Sequence, residues 1–203
     1  MMFHLESGLE ILARNGYAVL DSVLPEDTIE QLLETARLSY QHGQFHPGRV
    51  GQGVKKTRHL VVRGDEILWI TDWSSPSFAK VESFFKEIQS HLRSFLYLPI
   101  KRFESHFAFY PAGTHYLRHK DRHRSNPSRL ISCVIYLSPW PDQGGGELVL
   151  YPTQKTPIVI EPNAGRMILF LSELEHEVRP TRAERWSLTA WFRDDLLAEI
   201  HLS

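Results

Sequence analysis

Beyond residue 100 the chain carries no helical period; it runs instead through eight short stretches rich in β-branched and aromatic residues, each closed by a turn signal. The stretches are 103–110, 116–119, 130–137, 147–151, 157–160, 167–171, 176–179 and 185–192, with turns such as Asp142-Gln-Gly-Gly-Gly146 and Pro162-Asn-Ala-Gly165 between them. Strands without intervening helices bury their apolar faces by stacking two sheets, as a sandwich or barrel. The expected fold class is α+β, mainly β: an eight-stranded jelly roll with N-terminal supporting helices.

The first hundred residues supply those helices. Leu5, Leu9 and Leu12 fall at near-helical spacing before the stop signal Asn15-Gly16, and 17–20 reads as a strand. A second helix is expected from Pro25 as a first-turn residue, with Ile29, Leu32, Leu33, Ala36 and Tyr40 on one face and Gly43 at its end. The third and most strongly patterned starts at Ser75-Pro76, runs through Phe78, Val81, Phe85, Ile88, Leu92 and Phe95, and is closed by Pro99; its stripe reads as a packing face against a sheet. Between them, 44–58 holds three glycines, a proline and several cations, and reads either as a connector, including a loosely paired hairpin, or as a lid over a site. Residues 60–62 and 67–70 read as strands around a turn at 63–66. The length suits one domain, divided into helical support and a substrate-side loop (1–100), the β core (101–193) and a tail (194–203).

Lys and Arg number 23 against 24 Asp and Glu, so the whole chain has no electrostatic bias toward nucleic acid or an anionic membrane. The single cysteine, Cys133, excludes an intrachain disulfide and a cysteine-rich zinc site, and in its apolar run reads as a buried small residue. No basic n-region precedes an apolar run at the N-terminus, and no stretch approaches ~18 apolar residues. A cytoplasmic protein without nucleic-acid or membrane partners is expected.

Eleven histidines call for a criterion beyond residue type. Only His4 and His119 have an acidic residue two positions on, and His4-Leu-Glu6 lies in the expected first helix, where i and i+2 diverge. On a strand i and i+2 share a face, so His119 and Asp121 can reach one metal while Lys120 points away. A facial site of two histidines and a carboxylate needs one more histidine. His176 lies 55 residues after Asp121, and Arg185 follows nine residues later.

With these residues the chain resembles the Fe(II)- and 2-oxoglutarate-dependent oxygenases, and within them the oxygen-sensing branch of the prolyl 4-hydroxylases. The likeness extends over roughly 45–193 and includes Arg63-Gly-Asp-Glu-Ile-Leu-Trp69, Phe109-Tyr-Pro111, Tyr116-Leu-Arg-His119, Cys133-Val-Ile-Tyr-Leu137, Gly145-Gly-Glu-Leu148 and His176-Glu-Val-Arg-Pro180. The resemblance implies a double-stranded β-helix; His119, Asp121 and His176 as Fe(II) ligands; Arg185 on the distal carboxylate of 2-oxoglutarate; and Tyr110, Tyr136 and Thr189 near that cosubstrate. Tyr110 and Tyr136 also fit a reading as core tyrosines, and Arg185 one as a surface ion pair. Ser187, which completes an Arg-x-Ser, departs from the oxygen-sensing branch. O2 is the co-reactant, ascorbate a reductant, and succinate and CO2 the by-products.

For the substrate, Arg49, Lys55, Lys56, Arg58, Arg118, Lys120, Arg122, His123, Arg124 and Arg129 suggest a basic entrance, which would favour a peptide with acidic flanks. Arg49, Arg129 and Trp191 are the expected substrate contacts. The resemblance implies a target proline on a protein, for a bacterial member a translation factor. Two alternatives stay open: a hydroxylase of a free amino acid, which needs a further cation for the substrate carboxylate, and a non-enzymatic metal-binding barrel. A nucleic-acid repair oxygenase would carry a second arginine soon after Arg185, whereas the next here is Arg193.

Overall fold

In this computed structural model the described residues are 2–48, 62–124, 126–153 and 155–196, with the side chains of 2–4 and 77 set aside. Helix α1 (Met2–Asn15) buries Leu5, Leu9 and Leu12 and stops at Gly16, whose φ of +81° suits the left-handed turn at a helix end. β1 (Tyr17–Leu20) follows. α2 (Glu26–Gln41) buries Ile29, Leu32, Leu33 and Ala36; Pro25 caps it from one position before the expected first turn. Then come β2 (His46–Pro47), β3 (Glu66–Trp69) and α3 (Pro76–Ser94), where the Ser75 hydroxyl accepts the Phe78 N–H at 3.4 Å. The eight expected β-core strands follow within a residue or two of their predicted bounds: β4 (Arg102–Tyr110), β5 (Tyr116–His119), β6 (Arg129–Tyr136), β7 (Leu148–Tyr151), β8 (Ile158–Ile160), β9 (Met167–Leu171), β10 (Glu175–Val178) and β11 (Arg185–Arg193).

They form two antiparallel sheets, one in the order β1-β9-β6-β11-β4-β3-β2 and the other β5-β10-β7-β8. This is the expected jelly roll, with its larger sheet widened by three N-terminal strands. Two predictions from the first hundred residues shift. Glu66 starts β3 instead of closing a turn, and His46–Pro47 pairs with it as an edge strand, a position that tolerates proline. Of the expected 60–62 strand, Val62 lies in a turn while 60 and 61 lie outside the described residues, as do 49–58 of the suggested lid and 197–203 of the tail.

The central strands of the larger sheet, β9, β6, β11 and β4, are largely buried on both faces, and strand alternation sorts their side chains. From β11, Trp186, Leu188, Ala190 and Phe192 join the core under the helices, where Phe85 of α3 lies 5.3 Å from Phe103 and 6.2 Å from Phe192. Arg185, Ser187, Thr189 and Trp191 face the other way, toward the smaller sheet. There a second apolar cluster, including Tyr110, Val134, Tyr136, Leu150 and Phe170, leaves space unfilled. None of the described helices is long and apolar enough to cross a membrane.

Candidate active site

The space between the sheets is a cavity of about 660 Å³. One end is built by β5 and β10, whose antiparallel register sets His176 directly opposite His119. Each imidazole Nδ1 sits beside the carbonyl two residues before it, Leu117 O at 2.7 Å and Leu174 O at 2.9 Å. A carbonyl only accepts, so Nδ1 carries the proton and both Nε2 atoms keep a lone pair. These Nε2 atoms lie 3.7 Å and 3.6 Å from the two oxygens of Asp121, and the three candidate ligand atoms fall within 4.8 Å of one another. Tyr116 stacks on His119 at 3.6 Å, and Phe170 sets its ring edgewise to His176 at 4.8 Å.

The geometry differs in one respect from simple strand alternation. β5 ends at His119, and Asp121 stands in the bend beyond it, aimed by a hydrogen bond from Ser132. Lys120, exposed in the same bend, also borders the cavity. Burial and the neighbouring His176 push the His119 pKa down to about 3, so the ring is neutral. Burial alone would raise Asp121, but the imidazoles, Arg129 and the Ser132 hydroxyl hold it well below the usual carboxylate range. The cluster thus offers two neutral nitrogens and one anionic oxygen, a donor set that suits a divalent transition metal.

Arg185 opens β11 opposite Tyr110, also buried, with its guanidinium 4.8 Å from the ring centroids of both Tyr110 and Tyr136. No carboxylate pairs with it among the described residues, so a surface ion pair does not describe it. Arg185 Nε and the Tyr136 hydroxyl are both buried without a hydrogen-bond partner. Burial raises the Tyr136 pKa, with Arg185 pulling the other way, so the phenol stays protonated as a donor. The cation lines the cavity with the hydroxyl near it, and no described carboxylate meets the cation, an arrangement that fits a small carboxylate ligand. Thr189 and Ser187 line the same wall.

Arg129 lies 3.5 Å over the Trp191 ring and donates twice to Glu104 Oε1, which also accepts from Arg193. Trp191 Nε1 is buried and unpartnered. Both residues face the cavity, whereas Arg49 lies outside the described residues. Part of the expected basic entrance is neutralised: Arg118 pairs with Glu175, Arg122 stands 3.9 Å from Glu173, and Arg129 is committed to Glu104, while Arg49, Lys55, Lys56 and Arg58 lie outside the described residues. Among the described residues no carboxylate pairs with Lys120 or Arg124.

Several cavity residues carried no signal of their own in the spacing. Asp65, fully buried, takes two hydrogen bonds from Arg63 at 2.7 and 2.5 Å. His106 stands between Trp69 and Trp191, 5.1 Å from each ring, with Nδ1–H donating to Phe107 O at 2.9 Å. The run 63–69 could have flagged Asp65 and Trp69 through the resemblance; His106 was one histidine among eleven.

Residues 105–193, which hold both ends of the cavity, match the family model of the 2OG-Fe(II) oxygenase superfamily. Human prolyl hydroxylase EGLN3 is 32% identical over 203 residues, covering 94% of this chain and 83% of that protein. The chain belongs to the 2OG-Fe(II) oxygenase superfamily. Other members agree: human Egl nine homolog 1 is 29% identical over 94% of this chain, and a Pseudomonas putida prolyl-4-hydroxylase superposes with a TM-score of 0.85 at 33% identity, covering 93% of this chain and 98% of that one. A Trichoplax adhaerens prolyl hydroxylase in complex with a hypoxia-inducible factor oxygen degradation domain peptide fragment gives 0.84 at 29% identity, covering 95% and 92%. The chain spans 46% of Egl nine homolog 1 and 27% of the Caenorhabditis elegans hypoxia-inducible factor prolyl hydroxylase. Fe(II), 2-oxoglutarate and O2 are the cofactor and co-reactants that the superfamily implies. The donor set at one end of the cavity and Arg185 with Tyr136 at another suit that pair.

Proposed function

We propose that this chain is a prolyl 4-hydroxylase of a protein substrate, with 1–203 acting as one oxygenase domain divided at 100 and 193. In this reading His119, Asp121 and His176 hold Fe(II). Arg185 binds the distal carboxylate of 2-oxoglutarate, with the Tyr136 hydroxyl donating beside it and Tyr110 and Thr189 walling the pocket. When bound, Fe(II) with 2-oxoglutarate and O2 supplies the oxidising chemistry, giving succinate and CO2 as one oxygen atom goes to the substrate carbon. The protein's share is binding, orientation and the exclusion of water by the buried walls. Trp191 and Arg129 stand as the substrate side, and Arg49 is assigned there on the resemblance alone.

The observation that carries this reading is the buried, unpaired Arg185 in the same cavity as the three-ligand cluster. A peptide is favoured over a free amino acid because the lining cations Arg63 and Arg129 are tied to Asp65 and Glu104. With Arg185 given to the cosubstrate, only Lys120 among the described lining cations remains for a substrate carboxylate. The prolyl hydroxylases among its relatives point the same way. A cytoplasmic location, a translation factor as target and ascorbate as reductant complete the proposal.

The test uses purified protein with Fe(II), 2-oxoglutarate and a host lysate. Succinate release together with a gain of one oxygen on a protein proline, seen by mass spectrometry, is the expected result, and both should vanish in His119→Ala and His176→Ala. Turnover of a free amino acid with no modified protein proline would overturn the substrate assignment. Undiminished turnover in His176→Ala would overturn the site.

A further inference from the structure

Resting on the reading of His119, Asp121 and His176 as metal ligands, we propose that Ser132 and Ser172 are positioning residues, a one-way hydroxyl relay that sets the Asp121 carboxylate for the metal. Ser132 lies mid-strand in β6, opposite Phe170 of β9 and Trp191 of β11, and has no solvent exposure. Its hydroxyl is 2.7 Å from Asp121 Oδ2 and 2.9 Å from the Ser172 hydroxyl, which is equally buried. An ionised carboxylate can only accept, so the Ser132 proton is committed to Asp121. The Ser132 oxygen is then free to accept from Ser172, and the relay runs in one direction.

Ser172 grips the same bend a second time. Its carbonyl accepts the N–H of Arg122, the residue after Asp121, at 2.7 Å, while its own N–H donates to Leu130 O at 3.0 Å. It also stands where β9 turns into β10, the strand that carries His176. One residue therefore ties the aspartate-bearing bend, through main chain and side chain, to the hairpin that presents the second histidine. With Oδ2 held by a charge-assisted bond, rotation of the carboxylate is restricted and Oδ1 keeps its lone pairs for the metal. Neither serine is itself a candidate ligand.

The test is titration of the full chain with Mn(II) alone, following free Mn(II) by electron paramagnetic resonance, beside the melting temperature of the metal-free protein. Loss of an outer partner of a metal ligand weakens binding roughly 10- to 100-fold, and that is the change expected for Ser132→Ala. Ser172→Ala should weaken binding less, because Asp121 keeps its bond to Ser132. The double variant should bind no worse than Ser132→Ala, since the Ser172 side chain acts only through Ser132 and its main-chain contacts survive in Ser172→Ala. Wild-type Mn(II) affinity in Ser132→Ala, with or without a lower melting temperature, overturns the proposal, because a purely structural serine would behave that way. So does a Ser172→Ala loss that persists in full in the Ser132→Ala background. His176→Ala separates the two levels: wild-type affinity there overturns the metal site, whereas lost affinity there beside an unaffected Ser132→Ala overturns the relay alone.

Discussion

Replacing Arg185 by methionine should move two quantities in opposite directions. In the ligand-free protein Arg185 is 4% exposed, lies against two phenol rings and has no carboxylate partner among the described residues. Exchanging buried ionic groups for well-packed apolar ones is often neutral or stabilising by about 1–4 kcal/mol, so the ligand-free variant should be at least as stable as the parent. Toward 2-oxoglutarate the sign reverses. Truncating one partner of a buried, hydrogen-bonded charge pair costs about 2–5 kcal/mol, or roughly 30- to 4,000-fold in Kd. Thermal unfolding of the Mn(II)-loaded protein with and without 2-oxoglutarate reads both effects. At ~100 times its Kd the ligand stabilises the parent by about 2.7 kcal/mol, or about 5–11 °C for a chain of this size. At that concentration a ~30-fold weaker variant gains only about 0.9 kcal/mol. A variant that loses several kcal/mol when ligand-free, yet keeps the full ligand-induced shift, would refute the reasoning, because Arg185 would then be one half of an internal pair.

Other perturbations read the cavity wall. Burial pushes the His106 pKa down to about 4 from an unfolded value of 6.5, so below pH 6.5 the unfolded chain binds the extra proton and stability falls as pH drops toward 4. From pH 7 to pH 5 this contributes a loss of about 2 kcal/mol at ~1.36 kcal/mol per unit. In urea titrations of metal-free protein, His106→Met should lose less stability over that interval by about this amount, and an equal loss in both proteins would count against a buried neutral imidazole. At Gly146, φ is +74° and an added Cβ would lie 2.9 Å from Thr181 Cγ2 and 3.0 Å from Arg185 Cδ. Gly146→Ala should therefore displace Arg185 and raise the KM for 2-oxoglutarate more than it lowers kcat; an unchanged KM in steady-state assays would show that Arg185 tolerates the contact.

The β core was legible because its signals are local. Alternation and turn residues mark each strand, and β1, β5 and β9 begin and end where the pattern places them. The widening of the larger sheet was less so. β2 is two residues long, contains a proline and exists only through pairing with β3, about twenty positions on, a contact no short window contains. Asp121 shows the same limit inside the site. Spacing singled out Asp121 as a candidate ligand on strand geometry, but the strand stops at His119, and the carboxylate accepts a hydrogen bond from a serine of β6 instead.

What spacing cannot supply is which charges are already answered. Counting cations along 118–129 suggests a basic entrance, but Arg118 meets Glu175 across the β5–β10 pair, and Arg129 meets Glu104, 25 positions earlier. Ser132 and Ser172 look like ordinary small residues beside apolar neighbours until both prove to be wholly buried and hydrogen-bonded to one another. The same accounting isolates Arg185. Of the three described arginines that line the cavity, Arg63 belongs to Asp65 and Arg129 to Glu104, which leaves Arg185 as the one whose charge no described carboxylate meets. A buried cation without a counter-charge is costly to keep, so its persistence beside three candidate metal ligands argues for an anion that arrives with the substrate rather than with the fold.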